Sequence, residues 1–589
     1  MRTRQSRLSL TIIAVALSMI AAACTTSEDT ADTTAPAAVT TAADTETTTA
    51  ATEATEPAAD TTEPAPSGDV TNPGLYVHAA DDEPLSLDPA GVAAGEAGET
   101  VILQVYERLV EIGPGGPDLV PGLSTDVPTV DNGLISEDGL TYTFPIRDGV
   151  VFHDGSALSA DVVKFNWDRV LTMDLPEGNG SIIADLVDST SVDGNNFVVT
   201  LNERNAAFLN SVVTAAVASI VSQDAVEANG GVVAGQPNDF FTGNAVGSGA
   251  YRLTAWNRGE TIELEVFEDY WGEPANLDVR IQQVPDSDVR VLGLRAGDFD
   301  SIETDPTFVT DLEGADGVTI FQEGWLLEPV HIGLNLDIQE DLLPPEDTVP
   351  ADFFWDPRVR QAFNYAFNYE NFIQGGLSGL GGTVPHYLPQ GMLAYDDSLV
   401  RYATDLARAE ELFRETGWWD EGFTMTVLVE EGGIFETAGL VLKDSMAALN
   451  PSFVVNVAAV VEVQFDDAHA QVPFEYAAWI KNADPFADPA ALFAAYEHPD
   501  GEWGSVHKFR NGYQDADGIA ALIDEAAVSI DTERRIEIYQ ELTQLLFDDP
   551  MWVLAGNERA LMAHRDWVQN FQMNPLWPRP SLKFALFNK

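Results

Sequence analysis

Residues 246–300 constrain the fold more than any other stretch, because their side-chain periodicity changes from that of a strand to that of a helix at identifiable turn residues. Tyr251 and Leu253 alternate with polar neighbours, Asn257-Arg258-Gly259-Glu260 carries turn chemistry, and Ile262, Leu264 and Val266 alternate with Thr261, Glu263 and Glu265. The pattern predicts a hairpin with one buried face. After the aromatic corner Asp269-Tyr270-Trp271-Gly272, a strand is expected near Val279–Val284. A short helix then carries Val289, Leu292 and Arg295 and is closed by Gly297.

The rest of the chain repeats this mixture. Strand-like runs at Thr141–Ile146, Asn196–Leu201, Ile262–Phe267, Val330–Leu334 and Thr424–Val429 alternate with helical ones. One expected helix, Thr404–Glu415, has Thr404 as its cap, Leu406, Ala409 and Phe413 on one face, and Gly417 as terminator. Another, Asp531–Phe547, carries Ile536, Tyr539 and Leu546 ahead of Pro550. The fold class is α/β, and a body of roughly 515 residues exceeds one hydrophobic core, so two or three lobes are expected.

Both the start of the chain and its charge narrow the function. Arg2, Arg4 and Arg7 precede an apolar run from Leu8 to Ala23, the pattern of a secretory signal peptide over residues 1–23. Ala21-Ala22-Ala23-Cys24 is similar to a lipobox, with Cys24 as the lipidated residue, although Ala21 stands where leucine is usual and cleavage after Ala-x-Ala is the alternative. Cys24 is the only cysteine, so it has no partner for an internal disulfide. Residues 24–72, rich in Thr, Ala, Glu, Asp and Pro, cannot bury enough surface to offset chain ordering and are expected to form a disordered acidic tether.

The net charge of −66, from 29 basic and 95 acidic residues, disfavours nucleic acid and anionic membrane as partners. It fits a saline habitat, a cationic ligand or calcium. The acidic residues are spread and not clustered, which favours the habitat. No Gly-x-x-x-x-Gly-Lys-Ser/Thr loop is present, so any ATPase is a separate protein.

The wording of residues 246–300 resembles the family 5 extracytoplasmic solute-binding proteins of ABC importers, which include dipeptide-, oligopeptide- and nickel-binding proteins. Further motifs follow in order: Leu87-Asp88-Pro89, Tyr106-Glu107-Arg108-Leu109, Leu119-Val120-Pro121-Gly122-Leu123, Asp138-Gly139-Leu140-Thr141-Tyr142-Thr143-Phe144, and Arg147 to Gly155. Asp161-Val162-Val163, Asp356-Pro357-Arg358-Val359-Arg360-Gln361-Ala362 and Asp531-Thr532-Glu533-Arg534-Arg535 complete the set. The resemblance implies a two-lobed periplasmic-binding-protein fold of type II with an extra subdomain. Lobe I would span 73–325, including a subdomain near 115–240; lobe II would span 326–555, and residues 556–589 would return to lobe I. Two crossings, around Trp325–His331 and Val553–Glu558, would form the hinge, with solute between the lobes.

By the same resemblance, Ala478-Trp479-Ile480-Lys481-Asn482-Ala483-Asp484-Pro485 would line the pocket. Trp479 either covers a solute or fills the core. Peptide binders commonly carry an aspartate three residues after the tryptophan, pairing with the peptide ammonium; this chain has Asn482 there and Asp484 two residues later, so ammonium recognition would need Asp484 or Asp488. Trp325, His386, Tyr387, Gly432 and Phe435 are further ligand-binding candidates.

The eight histidines show no His-x-x-x-His spacing, so no metal site is expected, and no cofactor. Nor is there a Gly-x-Ser-x-Gly elbow or His-Glu-x-x-His, against the rival reading of a secreted hydrolase. The expected protein is a monomeric, lipid-anchored receptor on the outer face of the cytoplasmic membrane. It would deliver a peptide or peptide-sized solute to permease subunits with a separate ATPase, or, alternatively, signal its presence to a sensory receptor.

Overall fold

A computed structural model describes residues 70–92, 97–114, 117–175, 180–304, 306–322, 324–483, 487–577 and 581–589. The signal peptide, Cys24 and the tether up to residue 69 lie outside the described residues, as does Asp484. None of the described helices is long and apolar enough to cross a membrane.

The predicted hairpin forms: Tyr251–Asn257 pairs antiparallel with Thr261–Val266, with Asn257 opposite Thr261. A bulge between Leu253 and Ala255 shifts the register, so Ile262 and Leu264 are fully covered while Leu253 is only partly so. The next strand, Asp278–Gln283, extends this sheet, and a helix follows at Ser287–Ala296, capped by Asp286 and ended by Gly297 at φ +82°. Its buried face departs from expectation. Val291 and Leu294 point inward, whereas Val289 and Leu292 are exposed. The close seat of Phe299 against Gly293, where a Cβ would lie 2.3 Å from the ring, sets that rotation.

Seven strands make the first sheet, in the order Val318–Phe321, Met562–Arg565, Ser301–Glu303, Leu75–Ala80, Asp278–Gln283, Thr261–Val266 and Tyr251–Asn257. Leu75–Ala80 runs parallel to both neighbours, so its covered run of apolar residues reads as a central strand. Thr141–Pro145, Asn196–Leu201 and Val187–Asp193 form a separate three-stranded antiparallel sheet, packed with helix Ala160–Met173 around Phe144, Trp167 and Phe197.

The second sheet has six strands, ordered Gly381–Gly382, Trp552–Glu558, Val330–Leu334, Ala478–Asn482, Phe423–Glu430 and Phe453–Val460. Its core gathers Ile332, Phe363, Phe413, Val427, Trp479 and Leu542. The expected helix at 404–415 spans Leu406–Thr416. Asp405, not Thr404, caps it, accepting from the Arg408 amide at 3.0 Å, while Thr404 instead donates to the Phe367 carbonyl at 2.6 Å. Leu406 is exposed, and Ala409, Leu412 and Phe413 form the buried face. Helix Thr532–Asp548 is capped by Asp531.

Residues 324–329 lead into the second sheet and 559–561 lead back to the first, so the expected crossing at Val553–Glu558 is instead part of the strand Trp552–Glu558. The two passages pair with each other. Trp325 bridges Arg559, the Leu326 amide donates to the Glu558 carbonyl at 3.0 Å, and the Ala560 amide donates to the Gly324 carbonyl at 3.2 Å. Consecutive residues divide between the cores, Leu326 packing with the first and Leu327 with the second.

The returning segment ends in a buried ion pair. The Lys589 ammonium sits 2.6 Å from Asp300 Oδ2, with both side chains almost wholly buried, and also donates to the Leu75 carbonyl at 2.5 Å. Asp300 further accepts from the Val77 amide and from Trp567 Nε1, each at 2.7 Å. Removing the ammonium strands a buried carboxylate, so Lys589→Met should lower the unfolding free energy by about 3 kcal/mol, measured by urea denaturation.

Candidate functional site

Strands Phe423–Glu430, Phe453–Val460 and Ala478–Asn482 are parallel, and their registers place Leu428 opposite Trp479 and Glu430 opposite Val460. Their carboxyl ends therefore lie at one end of the second sheet, together with Val330, which pairs with Asn482 on one side and Gly556 on the other. This is also where both passages to the first sheet leave. In open α/β sheets, crevices outside the carboxyl ends of parallel strands are the usual place for ligands.

Several of the candidates from sequence meet at this end. Asn482 is half-buried, and its Nδ2 donates to Glu328 Oε2 at 2.6 Å. A carboxylate from the passage thus stands beside the amide that occupies the expected position of an acid. Sequence reasoning missed Glu328, since only the pairing of Val330 with Asn482 brings residues 154 apart in the chain together. Gly432, at φ +82°, and Phe435 lie just beyond Glu430, where the helix Gly433–Leu449 starts. The Gly432 amide donates to Glu436 Oε2 at 2.6 Å, and the half-buried Phe435 packs against the second core.

Trp325 stands on the passage itself. Its Nε1 donates to Gln390 Oε1 at 2.5 Å, its ring lies 4.3 Å from the guanidinium carbon of Arg559, and it approaches Gly382 so closely that a Cβ there would lie 2.7 Å from the ring. Only a glycine permits that contact.

Trp479 and Tyr387 are placed elsewhere. Trp479 is 0% exposed, with the His507 ring stacked at 3.9 Å and the Trp552 ring edge-on at 5.5 Å. It faces Gly333 across the strands, where a Cβ would lie 2.2 Å from the indole. Of its two sequence readings, this placement is the core one. Tyr387 is likewise fully buried, 5.0 Å from Tyr496 and 6.0 Å from His331. Asp488, the other acid considered for an ammonium, is buried as the cap of helix Pro489–Tyr496 and pairs with Arg535, so it is committed to structure.

His386 lines a small cavity of about 30 Å³ in the second half, with Asn364, Thr383, Tyr402 and Trp552. Its Nδ1 accepts from the Tyr387 amide at 3.0 Å and its Nε2 lies 3.4 Å from Glu497 Oε1. Burial pulls the His386 pKa down to about 3 and pushes that of Glu497 well up, so the site disfavours the charged form of each group. A larger, more open concavity of about 260 Å³ lies in the first half beside His153, Asp154, Phe240, Arg252 and Trp256. Among the described residues no cluster of three or more His, Cys, Asp or Glu is arranged to hold a metal ion.

A buried acid in the first half has polar company of a different kind. Glu107 accepts from Trp271 Nε1 at 2.9 Å, from the Ser248 hydroxyl at 2.7 Å and from the Tyr270 hydroxyl at 3.1 Å. Burial raises its pKa to about 7 against the pull of these donors. The aromatic corner seen in the sequence is thus the wall of a buried carboxylate.

A family model described as bacterial extracellular solute-binding proteins, family 5 Middle, matches residues 118–503. The chain is similar to the dipeptide-binding protein of Escherichia coli strain K12, 23% identical over 542 residues, which cover 85% of this chain and 92% of that protein. It is also similar to the glutathione-binding protein GsiB of Pectobacterium atrosepticum, 26% identical over 460 residues, covering 75% and 82%. In three dimensions it resembles HbpA2 from Haemophilus parasuis, with a TM-score of 0.72 at 22% identity over 87% of this chain and 99% of that one. These likenesses bear out the expected two-lobed α/β fold.

Two measurements follow from this placement. Trp479→Ala should destabilise the protein by about 3–5 kcal/mol in chemical denaturation, as emptying a packed core position does. Acid should also weaken the second half. Burial lowers the pKa of His331 to about 3 and of His469 to about 4, and drives that of His507 well down. The unfolded chain therefore binds more protons than the folded one from pH 6.5 down to the folded values, and stability falls with pH across that window. Against wild type, His469→Gln should flatten the dependence of unfolding free energy on pH between 6.5 and 4 by about 1.4 kcal/mol per pH unit.

Proposed function

Because this chain belongs to family 5 of the bacterial extracellular solute-binding proteins, we propose that it captures a peptide or peptide-sized organic solute between its two lobes and delivers it to the membrane permease of an ABC importer. The observation that carries the peptide reading is Glu328 held against Asn482 at the end of the second sheet. An amide alone offers an ammonium no counter-charge; the neighbouring carboxylate does, and the amide N–H keeps it pointed along the strand end. Asn482 then orients the acid that binds, and Glu328 replaces the aspartate expected three residues after Trp479.

Bending would occur where the two passages pair, since the chain crosses between the two sheets at that ladder. A solute that touches both lobes stabilises the closed arrangement in proportion to its preference for it, and one indifferent to the two arrangements shifts nothing. The closed shape is what the permease would read. Lipidation at Cys24, with the acidic segment as spacer, would keep the receptor at the outer face of the membrane as a monomer while a separate ATPase drives transport.

Native mass spectrometry of protein purified without denaturation from its own host, with the released molecules identified, tests this reading directly. A co-purifying peptide that binds at least roughly tenfold more weakly to Glu328→Gln is expected, the loss typical of removing a charge-assisted bond. A neutral sugar as the bound molecule, or uptake of the identified solute unaffected by deleting the gene, would exclude it.

A further inference from the structure

We infer that Arg559, stacked on Trp325 at the paired passages, is a binding site for a carboxylate of the solute, an inference that rests on capture of the solute between the lobes. Arg559 is half-buried and its guanidinium carbon lies 4.3 Å from the Trp325 ring centre. Its backbone amide is engaged, donating to the Leu380 carbonyl at 3.0 Å, but its side chain has no acidic or carbonyl acceptor among the described residues. Every other arginine or lysine of comparable burial among them has one. Arg147 donates to the Gly122 carbonyl, Arg401 to that of Asp397, Lys481 pairs with Asp466, and Lys583 with Glu111. In a chain with 95 acidic residues against 29 basic ones, a partly covered guanidinium left without an oxygen is an exception that calls for an external partner.

The surroundings fix the direction in which that partner would approach. The Trp325 ring is immobilised by the close contact with Gly382 and by its bond to Gln390, so the guanidinium stacked on it presents a rigid fork. Gln390 must use its oxygen to accept from the indole, which leaves its NH2 group as a further donor at the exposed edge of the same ring. Two sets of N–H donors thus flank one tryptophan, a set that suits a planar carboxylate held in bidentate fashion.

At physiological ionic strength the field of distant carboxylates is screened beyond about 8 Å, so the net charge of −66 does not bar an anion from Arg559, and short-range, charge-assisted hydrogen bonds decide what binds there. A site of this kind selects solutes that bring their own carboxylate into the crevice.

The test uses three probes on the mature protein: tri-alanine, tri-alanine amide and glutarate. Affinities are measured by calorimetry, and the reactivity of each arginine towards phenylglyoxal is mapped by peptide mass spectrometry. Tri-alanine should bind at least roughly tenfold more tightly than its amide and should protect Arg559, and the ratio should fall towards one in Arg559→Gln. Arg559→Lys, which keeps the charge without the fork, should recover only part of it. Equal affinities for acid and amide in wild type, or a ratio unchanged in a folded Arg559→Gln, would overturn the assignment. Failure of tri-alanine to bind at all removes the peptide reading, and glutarate then decides the anion site: protection of Arg559 upholds it and full reactivity refutes it.

Discussion

The backbone ladder joining Leu326 to Glu558 and Ala560 to Gly324 is the contact on which the rest of the architecture depends. It brings together two points separated by more than two hundred residues, so the whole second half is in effect a long insertion between strands Val318–Phe321 and Met562–Arg565 of the first sheet. Chain entropy tolerates this, because closing a loop costs only about 0.6 kcal/mol more for each doubling of its length. The ladder then does two things that a single linker could not. It fixes the direction of both passages, and it sets Trp325, Glu328 and Arg559 beside one end of the second sheet. Asn557, fully buried, reinforces it by donating from its side chain to the Leu326 carbonyl at 2.7 Å.

The scarcity of cations gives the ion pairs a pattern. Arg169 with Asp88, Arg360 with Asp549, Arg535 with Asp488 and Lys589 with Asp300 are all buried and join segments distant in sequence. Buried pairs of this kind add little net stability over apolar packing, but each forbids arrangements that would leave one member alone. These four basic residues thus help to specify how segments meet, while the excess acid is spread along the chain, where salt screens its self-repulsion.

How far the sequence reveals this depends on the range of the interaction. The hairpin at 251–266, the strands Asn196–Leu201 and Val330–Leu334, and the helix closed by Gly297 are all legible, because their periodicity and turn residues act within a few positions. Helix faces are less so. Val289 and Leu406 are apolar at suitable spacing, yet the packing of Phe299 under one helix and the cap at Asp405 of the other rotate them outward. The site is the least legible part. Trp479 reads equally as a ligand cover or a core residue until Gly333 is seen opposite it, and Glu328 and Arg559 have no local signature at all, since their neighbours arrive from strands 150 or more residues away.

The contrast between Trp479 and Asn482 shows why specificity can change while the fold stays recognisable. Both lie on one strand, but Trp479 is in the middle of the sheet, locked to Gly333 and His507, and any change there must be matched on two other elements. Asn482 is the last residue of the strand, where the sheet stops and a side chain meets only the passage beside it. A change of side chain at this position leaves the core untouched. Side chains at strand ends and on the crossing segments are therefore free to diverge at identities as low as 22–26%, while the fold stays the same.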